Sequence, residues 1–124
     1  MSLTALALAV LLAQSPASLA VAEPTHDRVD VAYDELSAGR AQDALRKLEA
    51  AGAPKSDDPA TLINLGAAYV ANGQTEKALA SYRAAVNSPE RYDLQLADGT
   101  WADSRFAARR ALGQLLRANA QASR

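Results

Sequence analysis

Apolar residues follow several distinct spacings along this chain, and each spacing predicts a different element. Leu3 to Ala13 is an apolar run broken only by Thr4. A bilayer span needs about 20 residues, so a run this short reads as the hydrophobic part of a secretory signal peptide. Small residues follow at Ser18, Ala20 and Ala22, which places cleavage after Ala20 or Ala22. Helical spacing then takes over. Ala44, Leu45, Leu48 and Ala51 line one helix face, and Ala78, Leu79, Tyr82, Ala85 and Val86 line another. Leu62, Leu65 and Tyr69 share a face of a further helix, opened by Asp58 as N-cap and Pro59 in its first turn. Val31, Ala32 and Leu36 predict a helix from about Asp27 to Ala38.

The pattern changes at residue 91. Tyr92, Leu94 and Leu96 alternate with Asp93, Gln95 and Ala97, and Asp98-Gly99 follows. Alternation ending in Asp-Gly predicts a β-hairpin over 91–103. An isolated hairpin is marginal in water, so it must lean on the helices, with Trp101 expected as its packing anchor. Asp103 or Ser104 then caps a last helix, 104–118, with Ala108, Leu112, Leu115 and Leu116 as its apolar stripe.

Two of these segments repeat. Gly39, Ala44, Leu48 and Ala51 recur, all at one offset, as Gly73, Ala78, Tyr82 and Ala85, so that GRAQDALRKLEAA aligns with GQTEKALASYRAA. The offset, about 34 residues, is a period typical of stacked helical repeats. Both copies begin at a Gly able to end a helix in the left-handed conformation. Gly66, inside a helix, implies close approach by a second helix. Residues 27–88 therefore read as two helix–turn–helix units joined by a linker.

With its Leu62, Leu65-Gly66, Tyr69, Gly73, Ala78, Tyr82, Ala85 and Pro89, the second unit resembles the tetratricopeptide repeat family. The first unit departs from the pattern at two places, with Ala32 for the Gly and Glu35 for Tyr69. The resemblance covers residues 25 to about 90. It implies an all-α stack of two helical hairpins, repeat 1 over about 25–57 and repeat 2 over about 58–90. The hairpin is then an insertion. Leu112-Gly113 echoes Leu65-Gly66, so the last helix looks like a third unit's first helix serving as a cap.

Composition narrows the chemistry. The chain has 124 residues, of which 49% are hydrophobic, but Ala is by far the commonest of these. From Glu23 onward only about 22 side chains are large and apolar, which suits thin helical layers packed through Ala. With 13 basic and 14 acidic residues the net charge is −1, which gives no general attraction to nucleic acid or anionic membrane. There is no Cys, so disulfides, thiolate metal sites and cysteine nucleophiles are excluded. The single His, His26, is expected on the surface, and Asp57-Asp58 is explained by a linker and a helix cap. No residue constellation supports catalysis, a metal or a cofactor. The expected function is a non-enzymatic, exported interaction module, periplasmic or secreted, with a protein or peptide partner and no membrane span after cleavage.

In the tetratricopeptide family the first helices of successive units line a concave groove that holds peptides. Positions carried over from that resemblance are Val29, Tyr33 and Leu36 in the first unit, Ile63, Ala67 and Val70 in the second, and Arg110, Gln114 and Arg117 on the last helix. Helical geometry independently puts Phe106, Arg110, Gly113 and Arg117 on one face. Asn64 matches an asparagine of the family's carboxylate-clamp members, but Val29 and Tyr33 stand where the clamp needs Lys and Asn, so that clamp is incomplete. The expected groove is apolar on two helices and basic on the third, suited to a segment with an apolar anchor and an acid or free C-terminus. The alternative is a self-assembling subunit. Residues 23–58 carry nine acids and five bases, residues 104–124 five Arg and no acid, and the two ends suit weak end-to-end association.

Overall fold

A computed structural model describes residues 20–22, as backbone, and 32–123. Of the expected signal peptide, residues 1–22, only Ala20–Ala22 are described, and they form a strand of the domain's sheet; residues 1–19, His26 and Val29 lie outside the described residues. The described chain is mostly helical. Its elements are strand β1 (Ala20–Ala22), helices α1 (Tyr33–Ser37), α2 (Ala41–Ala50), α3 (Pro59–Ala71) and α4 (Thr75–Val86), strands β2 (Asp93–Leu96) and β3 (Trp101–Asp103), and helix α5 (Ser104–Ala122). A single 3-10 turn, Ala53–Lys55, sits in the linker between α2 and α3.

The sequence recurrence is visible in the backbone. α2 and α4 start at Ala41 and Thr75, the same offset that separates Gly39 from Gly73. The Gly before each is left-handed, Gly39 at φ 74° and Gly73 at φ 75°. Each turn closes with the same pair of bonds. Gly39 N–H donates to Leu36 O (3.1 Å) and Arg40 N–H to Glu35 O (2.8 Å), while Gly73 N–H donates to Val70 O (3.0 Å) and Gln74 N–H to Tyr69 O (2.9 Å). This is the double bond pattern that satisfies the last carbonyls of a helix, and it needs a residue free to take positive φ. Asn72 adds a tie between units, donating from Nδ2 to Ala68 O (2.7 Å) and to Ala41 O at the start of α2 (2.9 Å).

α3 is the centre of the molecule. Asp58 caps it, accepting from Thr61 N (3.0 Å) and Thr61 Oγ1 (2.6 Å). Pro59 to Tyr69 are all buried, because α3 touches α2, α4, α5, β1 and the 3-10 turn. Its most extensive partner is α4. Gly66 is the reason the two sit so close. A methyl on Gly66 would lie 2.6 Å from Cδ1 and 2.9 Å from Cζ of Tyr82. The close approach expected at Gly66 is thus made by the ring of Tyr82, which is fully buried. At the corresponding places of the first unit stand Ala32 and Leu48, a larger residue for the Gly and a smaller one for the Tyr.

Four expectations change. The first helix does not run from Asp27 to Ala38. Ala32 has φ 56° and ψ 38°, a left-handed conformation no right-handed helix continues through, and α1 begins only at Tyr33. The hairpin is part of a three-stranded antiparallel sheet in the order β1-β2-β3. Leu96 O accepts from Gly99 N (2.8 Å) and Leu96 N donates to Thr100 O (2.7 Å), so its loop is a tight turn followed by left-handed Gly99. Trp101 is not its anchor. Trp101 is 48% exposed, and the buried residues of the hairpin are Leu94 and Leu96. Finally, α5 runs 19 residues and buries Ser104, Ala107, Ala108 and Ala111 rather than its leucines. Alanine allows α4 and α5 to approach closely, so Leu112 and Leu115 are half-buried and Leu116 is exposed at 43%.

Gly66→Ala tests the central contact. Added helix propensity favours Ala by about 1 kcal/mol, whereas overpacking a fixed core costs about 1–3 kcal/mol. The ring is enclosed, so the clash wins. Urea unfolding is expected to show a net loss of about 1–2 kcal/mol, and Gly66→Ala with Tyr82→Leu is expected to recover part of it, because the smaller leucine leaves room for the added methyl.

Candidate partner-binding surface

The structure divides the predicted groove residues into two sets. Leu36, Ile63, Asn64 and Ala67 are buried, at 1%, 0%, 0% and 0% exposure, and line no open groove. The reason lies in the sheet. β1 lies against α3, and β2 and β3 lie against α5, the two helices whose open faces the groove needed. Leu94 and Leu96 join the same core as Ile63 and Ala67. Tyr33 and Val70 are half-buried and pack on the edge of that core.

The second set stays at the surface. Phe106 is 57% exposed. Arg110 and Arg117 are exposed, and Gln114 is half-buried at the margin. Phe106, Arg109, Arg110, Gly113 and Arg117 fall opposite the alanine face of α5, as 100° per residue requires. Their helix is held firmly at its start. Asp103 accepts from Arg105 N (2.9 Å) and Phe106 N (3.2 Å), and its other oxygen accepts from Arg91 Nε (2.6 Å). The Arg91 bond holds the Asp103 carboxyl below the usual range. Arg105 Nη2 donates to Ser88 O (3.1 Å), which turns Arg105 away from its basic neighbours and into structure.

The hairpin tip carries a carboxylate of its own. The Asp98 carboxylate accepts from Thr100 Oγ1 (2.6 Å) and Thr100 N (2.9 Å). These bonds lower its pKa, and Arg110 adds a smaller lowering, so Asp98 lies within the field of Arg110. Beyond Gly113 the helix projects past its neighbours. It is about 28 Å long against about 18 Å for α4. Arg117 folds back over the space beside Gly113, its Nη1 3.3 Å from where a Cβ would stand.

Tyr92 holds the hairpin to α3. Its hydroxyl donates to Asp58 Oδ1, and its backbone N–H donates to Ser104 Oγ (3.1 Å). Burial first, then the bond to Asp58, raises the Tyr92 pKa above the usual tyrosine range. Burial does the same to Tyr82, whose hydroxyl has no hydrogen-bond partner among the described residues. An open depression of about 550 Å³ between Gly39–Asp43 and Ala71–Asn72 holds no cluster of reactive groups. Among the described residues no set of His, Asp and Glu is grouped to hold a metal ion, and no helix is long and apolar enough to cross a membrane.

Sequence reasoning found Phe106 and the arginines from helical spacing. It missed Trp101 as a surface residue and β1 altogether. Ala-Val-Ala carries no strand signal of its own, and only the exposed edge of β2 makes it one. No family model, curated protein or solved structure matches this chain.

The two tyrosines predict an alkaline limit. Their folded pKa values are raised, so the stability they contribute is complete below the unfolded tyrosine pKa of about 10 and is lost as pH rises above it. The urea midpoint is expected to fall between about pH 10 and 12. Tyr82→Phe should flatten that fall while leaving neutral-pH stability unchanged or higher, because it removes an unsatisfied buried hydroxyl.

Proposed function

We propose that this chain is an exported, non-enzymatic interaction module of tetratricopeptide-like design, and that it engages a protein partner through the outer face of α5. The single observation that carries the reading is the exposure of Phe106 one turn from Arg110 on a face otherwise made of Arg109, Gly113 and Arg117. A large aromatic left in water beside guanidinium groups matches the composition of interface centres, where aromatic residues and Arg are enriched. The complementary partner offers an apolar side chain for Phe106 and carboxylates for the arginines.

The apolar run and the small-residue cleavage pattern support export of the chain. The self-assembly alternative draws on the same basic helix set against the acidic residues of 23–58, and one experiment separates the two. A photo-crosslinking residue at position 109 or 113 on this face, in the tagged chain within its own cell envelope, is expected to capture a discrete foreign protein. Phe106→Ala with Arg110→Ala is expected to weaken that complex about 30-fold, or about 2 kcal/mol, without shifting thermal unfolding. Recovery of the chain alone would favour self-assembly, and recovery with cytosolic proteins would overturn export. Sequencing the N-terminus of the same material is expected to read from Val21 or Glu23.

A further inference from the structure

The buried line of α5 continues past the core. Ser104, Ala108 and Ala111 are buried, and the same alternation of four- and three-residue steps carries on through Leu115, Ala118 and Ala122. That spacing is the seam of paired helices. Along it Leu115 is half-buried, and Ala118 and Ala122 are exposed. The change has a cause in length. Arg105 bonds Ser88 O, just past the end of α4, so α5 starts where α4 ends and runs back along it. With 19 residues against 12, α5 outruns the start of α4 by about 10 Å, or about two turns. Those turns keep an inward seam with no α4 to pack on, and Leu116 beside it is 43% exposed.

We propose that this overhanging seam is a dimer contact, and that its occupant is the same seam of a second copy of the chain, running antiparallel. Charge selects the occupant. The charged residues of α5 are all Arg. At 100° per residue, Arg109, Arg110 and Arg117 fall on the outer side of the helix, and the positions flanking the overhanging seam are Leu112, Gln114, Asn119 and Gln121. The rim is thus apolar and amide. It has no charge to recruit an acidic helix and none to repel a copy of itself. Shape agrees with charge. An antiparallel copy sets each Leu115 against the small Ala118 and Ala122 of the other, large against small in both directions. Two equal overhangs are then covered by one twofold contact, which closes at two copies, unlike the association of acidic and basic ends. Amide side chains at the rim donate to and accept from one another across it. The contact is short. Two turns a side cover well under the roughly 800 Å² per partner of a standard interface, so the pair is weak, half associated at about 100 µM. This inference goes beyond the proposed docking face and does not rest on it. Phe106 and Arg110 stay outside the pair, so the dimer presents that face twice.

The test is sedimentation of the full chain from about 5 µM to about 1 mM, where it is expected to pass from monomer to dimer and stop. Ala118→Glu and Ala118→Lys each set like charges near the twofold axis and are expected to weaken the dimer at least about tenfold, and an equimolar mixture of the two is expected to restore it. Both change an exposed residue, so circular dichroism and thermal unfolding are expected to stay as they are. The chain has no Cys, so position is read cleanly by crosslinking. A short bis-maleimide is expected to join two copies of Ala118→Cys and to leave Ala120→Cys, on the outer side of the helix, unjoined. A monomer at millimolar concentration, a dimer indifferent to both charges, or growth past two copies would overturn the proposal. A photo-crosslinking residue at position 118 that captures a foreign protein and never the chain itself would overturn it too. Should either charge lower the unfolding temperature, the two Cys variants decide alone. Positions 109 and 113 lie away from the seam, so failure of this dimer and failure of the docking-face reading are told apart.

Discussion

The ring of Tyr82 seated against Gly66 sets the distance between α3 and α4, and the rest of the molecule is arranged around that pair. A glycine inside a helix sacrifices propensity, and here the sacrifice admits a whole aromatic ring into the core. With α4 drawn in, α3 is enclosed by α2, α4 and α5 and ends fully buried without a break from Pro59 to Tyr69. A helix hydrophobic nearly all round is stable only at such a centre. Asp58 at its start and Asn72 at its end then become junctions. Tyr92 reaches Asp58 from the hairpin, and Asn72 reaches Ala41 from the far end.

The enclosure of α3 decides where a partner can bind. A stack of hairpins with few repeats would leave the first-helix faces open as a groove. Here the three-stranded sheet lies on α3 and α5, and Leu36, Ile63, Asn64 and Ala67, carried into that groove by resemblance, become core. Surface chemistry is displaced to the outer side of α5, where alanines pack inward and Phe106 and the arginines are left facing out.

Much of the fold is legible in the sequence. Gly39 and Gly73 announce two turns of one geometry, because a left-handed residue at that place has few substitutes. Asp58-Pro59 and Asp103 announce helix starts through their capping chemistry, and Leu94, Leu96 and Asp98-Gly99 announce a hairpin. The site is legible in part. Phe106, Arg110 and Arg117 share a face by helical spacing alone, whereas Leu36, Ile63, Asn64 and Ala67 depend on what covers them. Alanine favours helix, so nothing local signals the left-handed conformation of Ala32.

By itself the sequence determined the periodic elements, their caps and turns, and the constant offset between units, since these arise from interactions within a few residues of one another. Only the tertiary structure decided that Ala20–Ala22 is a strand, that Trp101 faces water, that alanines rather than leucines bury α5, and that the expected groove is filled. Each of those outcomes depends on which surfaces meet across long stretches of chain, and a short apolar residue reads the same whether it lines a groove or a core until its neighbour is in place.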